Sequence, residues 1–129
     1  MLAGSRIFAS LSLLILLSAP TAFAAPAAKV VITAEARAAA ADIFESRCIA
    51  CHGAEGRGDG PAASNLNPKP LNFHNPLWQK SINDATIARA IVFGGQTVGV
   101  SAEMAPNPDL EGEPAVVAAL VERVRQLGK

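Results

Sequence analysis

Cys48-Ile49-Ala50-Cys51-His52 puts two thiols and an imidazole within five consecutive residues. On a helix, positions 48 and 51 lie one turn apart and share a side. The residues before them support a helix. Thr33 can act as an N-cap, and Glu35 falls in the first turn, where the helix dipole favours an anion. Ala36, Ala40, Ile43, Phe44 and Arg47 recur at helical spacing, and the alanines through Ala41 carry high helix propensity. The pattern predicts a helix from Thr33 to Arg47, with the Cys-Cys-His group at its end.

Cys-x-x-Cys-His is the spacing of c-type haem attachment. Two thiols on one side of a helix can form thioethers with the two vinyl groups on one porphyrin edge, and His52 follows as an axial ligand. Other chemistries compete. In an exported protein the two cysteines could form a disulfide. A thioredoxin-like redox pair belongs with a βαβ pattern, and no convincing strand is present. A zinc site would need Cys48, Cys51 and two histidines. Cys51 and His52 are adjacent, which strains joint tetrahedral ligation, and His74 is the only other histidine.

The N-terminal residues read as a targeting segment. Arg6 is the sole charge before Lys29, an apolar run from Ile7 to Leu17 follows it, and Ala22-Phe23-Ala24 supplies small residues for a signal peptidase. The expectation is a cleaved secretory signal over residues 1–24, a mature domain over residues 25–129 and a periplasmic location. An uncleaved anchor is the alternative. A span needs roughly 20 apolar residues, and Ser18 and Pro20 interrupt this run. No stable membrane anchor is therefore expected.

Downstream, Gly53 to Pro76 reads as a long loop. Gly53, Gly56, Gly58 and Gly60 are followed by Pro61, Pro68, Pro70 and Pro76, a density that breaks helices. The glycines superficially resemble a phosphate loop but lack Gly-Lys-Ser/Thr and follow no strand. They better suit a backbone turning close beside a flat group. A second helix is predicted from Asn83 to Phe93, stopped by Gly94-Gly95, and a last one begins near Gly112 to Pro114. Val116, Val117, Leu120, Val124 and Leu127 form the apolar stripe of that last helix.

A second axial ligand can be sought by elimination. Once Met1 leaves with the signal, Met104 is the sole remaining methionine, in a loop that ends in prolines. His74 is the rival donor, and a packing role for Met104 is the third reading. The wider composition narrows the function. The formal net charge is zero, which argues against nucleic-acid binding. Half the residues are apolar and 17% are charged, which argues against disorder. Two cysteines are too few for a disulfide-dense scaffold.

Taken in order, the Cys48–His52 motif, Gly56-Arg57-Gly58-Asp59-Gly60-Pro61, Asn67-Pro68-Lys69-Pro70, Gly94-Gly95 and Met104 resemble a class I monohaem c-type cytochrome. The resemblance spans about residues 35 to 128. It implies an all-α, small cytochrome c-like fold of three to four helices wrapped around one covalently attached haem, with the first and last helices crossing. It implies haem c bound through Cys48 and Cys51, with His52 and Met104 as ligands to the iron. The carbonyl of Pro61 would accept the His52 ring N–H. Leu66, Phe73 and Trp78 would line the site. Ala40 and Phe44 match the small and aromatic positions of the first helix. Arg123 stands where the family often has an aromatic and cannot make the same ring contact with Phe44, so the crossing is expected to pack differently. Ala40 replaces a frequent glycine, and Ala105 separates Met104 from Pro106.

The implied role is one-electron transfer by Fe(III)/Fe(II) cycling between redox protein donors and acceptors, without turnover of a substrate. The chain would act as a monomer or as a subunit of a redox complex. The alternatives are a haem-bearing subunit of a periplasmic dehydrogenase or oxidase complex, and a haem sensor or peroxidase-like protein with a displaceable methionine.

Overall fold

The computed structural model describes residues 29–129. The expected signal segment and its cleavage point lie outside them. Five α-helices carry the described chain: α1 (Ala34–Ile43), α2 (Ile49–His52), α3 (Pro76–Ser81), α4 (Asp84–Phe93) and α5 (Pro114–Leu127). There is no strand among the described residues. None of these helices is long and apolar enough to cross a membrane.

Helix α1 begins where the sequence predicts. The Thr33 hydroxyl accepts the Ala36 amide at 3.1 Å, satisfying one of the orphan donors of the first turn. The far end differs from the prediction. The helix does not stop at Arg47 but passes through a π turn, Phe44–Cys48, directly into α2. The Ile49 amide reaches back five residues to the Phe44 carbonyl. Ser46 Oγ donates to the Asp42 carbonyl at 2.7 Å, a local competitor for helix bonding that sits at the start of this widened turn.

The core forms where α1 crosses α5. Ala36, Ala40 and Phe44 are buried on α1, and Val117, Leu120, Val121, Val124 and Leu127 on α5. Ala40 and Leu120 are each only 2% exposed, so the crossing tolerates no larger side chain at position 40 without displacement. Arg123 does not forfeit its contact with Phe44. Its guanidinium carbon stands 5.5 Å from the ring centroid, so a cation on the ring face replaces the aromatic pair. Arg37 pairs with Glu122 at 2.8 Å on the exposed flank of the same crossing.

Helix α4 packs Ile87, Ala90 and Val92 into this core. Asn83 caps it, accepting the Thr86 amide at 2.8 Å, and Gly94 ends it at a φ of 84°. Helix α3 starts at Pro76, where the expected loop ends, in a stretch for which the sequence pattern predicts no helix. Asn75 accepts the amides of Leu77 and Trp78, and Pro76 occupies the first helical position, where no N–H is needed.

Enlarging Ala40 to Leu should destabilise the protein by about 1–3 kcal/mol through overpacking. Arg123→Ala, which removes an exposed cation–ring contact, should cost at most about 1 kcal/mol. Urea unfolding followed by far-ultraviolet circular dichroism would check both.

Candidate haem site

Helix α2 ends with four carbonyls in need of donors, and the loop beyond it supplies them. The Gly53 amide bonds the Ile49 carbonyl at 2.9 Å, Ala62 bonds Ala50 at 2.8 Å, Gly60 bonds Cys51 at 3.1 Å and Gly58 bonds His52 at 2.8 Å. This wrapping explains the glycine cluster. A Cβ at Gly60 would collide with the carbonyl oxygens of Ile49 and Ala50. Gly60 thus serves close approach to the end of the helix, while Gly56 leaves room for Phe73 and Leu127 and Gly58 for the Pro70 carbonyl.

Cys48 and Cys51 are both free and half-buried, on either side of the join between the π turn and α2. Burial pushes the Cys48 thiol up to about 11, partly opposed by the Arg47 charge and reinforced by Cys51. A buried thiol held protonated in this way is a poor redox nucleophile. Among the described residues, no three His, Cys, Asp or Glu side chains come close enough together to hold a metal ion, which the zinc reading would require.

His52 closes α2. Its Nδ1 lies 3.3 Å from the Leu71 carbonyl, a long hydrogen bond. A carbonyl only accepts, so this contact places the proton on Nδ1 and leaves the Nε2 lone pair free to coordinate. Burial pulls the His52 pKa down, against a smaller upward pull from the Leu71 carbonyl. Burial, the larger effect, keeps the imidazole neutral, and the Leu71 contact fixes its tautomer. The carbonyl expected here was that of Pro61. Pro61 is instead exposed, in the segment that folds back on Ala50 and Cys51. The chain needs ten further residues before Leu71 meets the imidazole. No local sequence signal marks Leu71, because the contact uses its backbone.

Phe73 packs on the imidazole. The ring centroids are 4.6 Å apart with an 18° interplanar angle, and Trp78 stacks behind Phe73 at 5.6 Å. Phe73 is buried and Trp78 is half-buried, so two of the three expected lining residues form one column with His52. Leu66 is half-buried outside that column. Two cavities lie elsewhere. One, of about 480 Å³, is lined by Arg37, Phe44 and Arg123 at the α1–α5 crossing. The other, of about 650 Å³, is lined by Ile32, Phe93 and Val117 between α4 and α5.

Met104 is held by different contacts. Its carbonyl accepts the Gly95 amide at 3.0 Å, and Asn107 donates to the Val92 and Ile91 carbonyls at 2.9 and 2.8 Å. The methionine loop is thus sewn to the end of α4. Gly95 leaves room for it, since a Cβ there would stand 3.0 Å from Met104 Cβ and press on the Ser101 carbonyl. Met104 is half-buried. Arg47, next to Cys48, reaches Asn107 at 3.2 Å and Asp109 at 2.9 Å, tying the attachment helix to this loop. His74, the rival ligand, has its Nε2 2.7 Å from the Glu55 carbonyl and bridges two arms of the loop.

This donor set fits a covalently bound haem. Two free thiols flank one helical turn, a neutral imidazole has its outer nitrogen occupied, and a thioether stands in a pinned loop. No relative among curated proteins matches the chain. The family model for cytochrome c matches residues 37–127, which is most of the chain and takes in the motif, the loop that wraps it, Met104 and the crossing helices. On that match and this fold, the chain belongs to the cytochrome c family, whose members carry covalent haem and transfer electrons.

Proposed function

We propose that the protein is a single-haem electron carrier of the periplasm, with haem attached through Cys48 and Cys51 and held axially by His52 and Met104. The observation that carries this reading is the state of His52. One ring nitrogen faces a carbonyl, one face packs on Phe73, and the remaining nitrogen is left free beside two thiols.

When bound, the haem supplies one-electron Fe(III)/Fe(II) chemistry. The chain's own residues supply the rest. The Leu71 carbonyl fixes the tautomer of His52 and strengthens it as a donor. The Gly95 and Asn107 hydrogen bonds hold the Met104 loop, and a thioether ligand favours the reduced state relative to a second histidine. A pinned methionine keeps small molecules from the sixth position, which supports a carrier over a peroxidase-like enzyme. A peroxidase-like reading would need a distal acid–base group, for which His74 is the one histidine left, and its Nε2 is taken by the Glu55 backbone carbonyl. Partners are proposed to be redox proteins. The periplasmic location rests on the signal-like residues 1–24 together with the family's covalent haem.

The reading is tested on the exported protein by extraction with acid and organic solvent, followed by spectra. The haem should stay with the chain, and Cys48→Ser with Cys51→Ser should release it. Met104→Ala should keep covalent haem, abolish the Fe(III)–methionine charge-transfer band, lower the potential and admit CO to the ferrous form.

Asn107→Ala should loosen the same loop without touching the ligand. Losing its side-chain hydrogen bonds costs about 1–3 kcal/mol, or roughly a five- to hundredfold larger population of the methionine-off form. The CO-binding rate of the ferrous protein would report it.

A further inference from the structure

We infer that Gln79 is a positioning residue for His52, setting the plane of the imidazole from the far side of the fold by way of Phe73. The inference rests on the reading of His52 as a haem ligand.

Gln79 lies on α3 and touches neither the motif nor Met104 in any hydrogen bond of the structure, yet all its side-chain polar capacity is directed. Nε2 donates to the Phe73 carbonyl at 2.9 Å and to the Val124 carbonyl at 3.1 Å. Oε1 accepts from Arg125 Nη1 at 2.7 Å. A guanidinium can only donate and a carbonyl can only accept, so the amide has one orientation and no alternative. Arg125 is itself locked. Its other nitrogens reach the Ile82 carbonyl at 2.7 Å and Asp84 at 2.8 Å, and Nη1 also bonds the Gln79 carbonyl at 2.8 Å. Gln79 therefore reads the position of the C-terminal half of α5 and passes it to Phe73.

Both contacts that define the imidazole come from one short segment, Leu71 and Phe73. The Leu71 carbonyl fixes rotation in the ring plane, and the Phe73 ring lies against its face. The Phe73 amide is fixed to the Gly56 carbonyl at 2.8 Å, and its own carbonyl to Gln79. With Gln79 in place, residues 71–73 have one register against His52. Without its donor, the Phe73 carbonyl loses its partner and the segment can slide, carrying both contacts with it.

Gln79→Glu isolates this function. A carboxylate still accepts from Arg125 but cannot donate to the Phe73 and Val124 carbonyls. In the haem-loaded protein it should keep its helix content and covalent haem. It should shift the reduction potential and rearrange the paramagnetic shifts of the haem methyls in the ferric state, which follow the azimuth of the axial imidazole. Phe73→Leu should change the same two readouts, and the two substitutions together should give less than the sum of their separate effects, because Gln79 acts through the segment that carries Phe73. Should Gln79→Glu fail to accumulate, Gln79→Met keeps the length and removes all three side-chain hydrogen bonds.

A methyl-shift pattern in the Gln79 variant that superimposes on that of the parent would overturn the inference, as would additive effects of the two substitutions. A parent protein whose haem lacks a low-spin, histidine-ligated spectrum would overturn the reading beneath it. The parent spectrum thus separates the two failures.

Discussion

The carbonyl oxygens at the end of α2 cannot be left without donors, and most of the site follows from how they are satisfied. Gly53, Gly58, Gly60 and Ala62 each contribute an amide, so the chain must double back on the helix within ten residues. That reversal sets the path of what comes next. The Gly56 carbonyl, on the returning loop, takes the Phe73 amide and brings residues 71–73 alongside His52. Lys69 reinforces the wrap by donating to the carbonyls of Ala63 and Ser64. A helix terminus thus organises a loop of more than twenty residues without any regular structure of its own beyond one short 3₁₀ turn, Ala63–Asn65.

The two candidate axial donors belong to different parts of the molecule. His52 is governed by the wrapping loop and, behind it, α3 and α5. Met104 is governed by the end of α4. Helix α5 packs against both α1 and α4 and provides the shared frame. The direct tie between the parts is Arg47 with Asn107 and Asp109. Its guanidinium and the Asp109 carboxylate are both substantially exposed, at 43% and 55%, so the ion pair contributes at most about 1 kcal/mol and weakens with salt. The methionine loop depends chiefly on its backbone bonds to α4.

Features governed by neighbouring residues were legible in the sequence. Thr33 and Asn83 cap helices, Gly94 stops one, and the stripe on the last helix faces the core, because each depends on chemistry within one turn. Helix α3 was equally local. Asn75-Pro76 is a cap followed by a first-turn proline, but a proline-rich context reads as loop when each proline is taken as a breaker. The Leu71 contact was not legible, since a carbonyl carries no side-chain signature and the pairing spans nineteen residues. Arg123 shows a different limit. Its charge announced a crossing packed differently from an aromatic pair, but the form of that packing, a cation on the Phe44 ring face, depends on the placement of two helices.

The π turn has a consequence for how α1 can change. In a regular helix each residue advances the azimuth by about 100°. The widened turn at Phe44–Cys48 accommodates one residue more than a regular turn would. It takes in that residue while keeping two surfaces in phase, the stripe of Ala36, Ala40 and Phe44 that faces α5 and the group of thiols and imidazole that follows. Insertions or deletions elsewhere in surface loops can be absorbed by slack. Loss of one residue here would restore regular winding with the two surfaces still in phase, whereas loss of one residue from the regular part of α1 would turn them apart by about 100°.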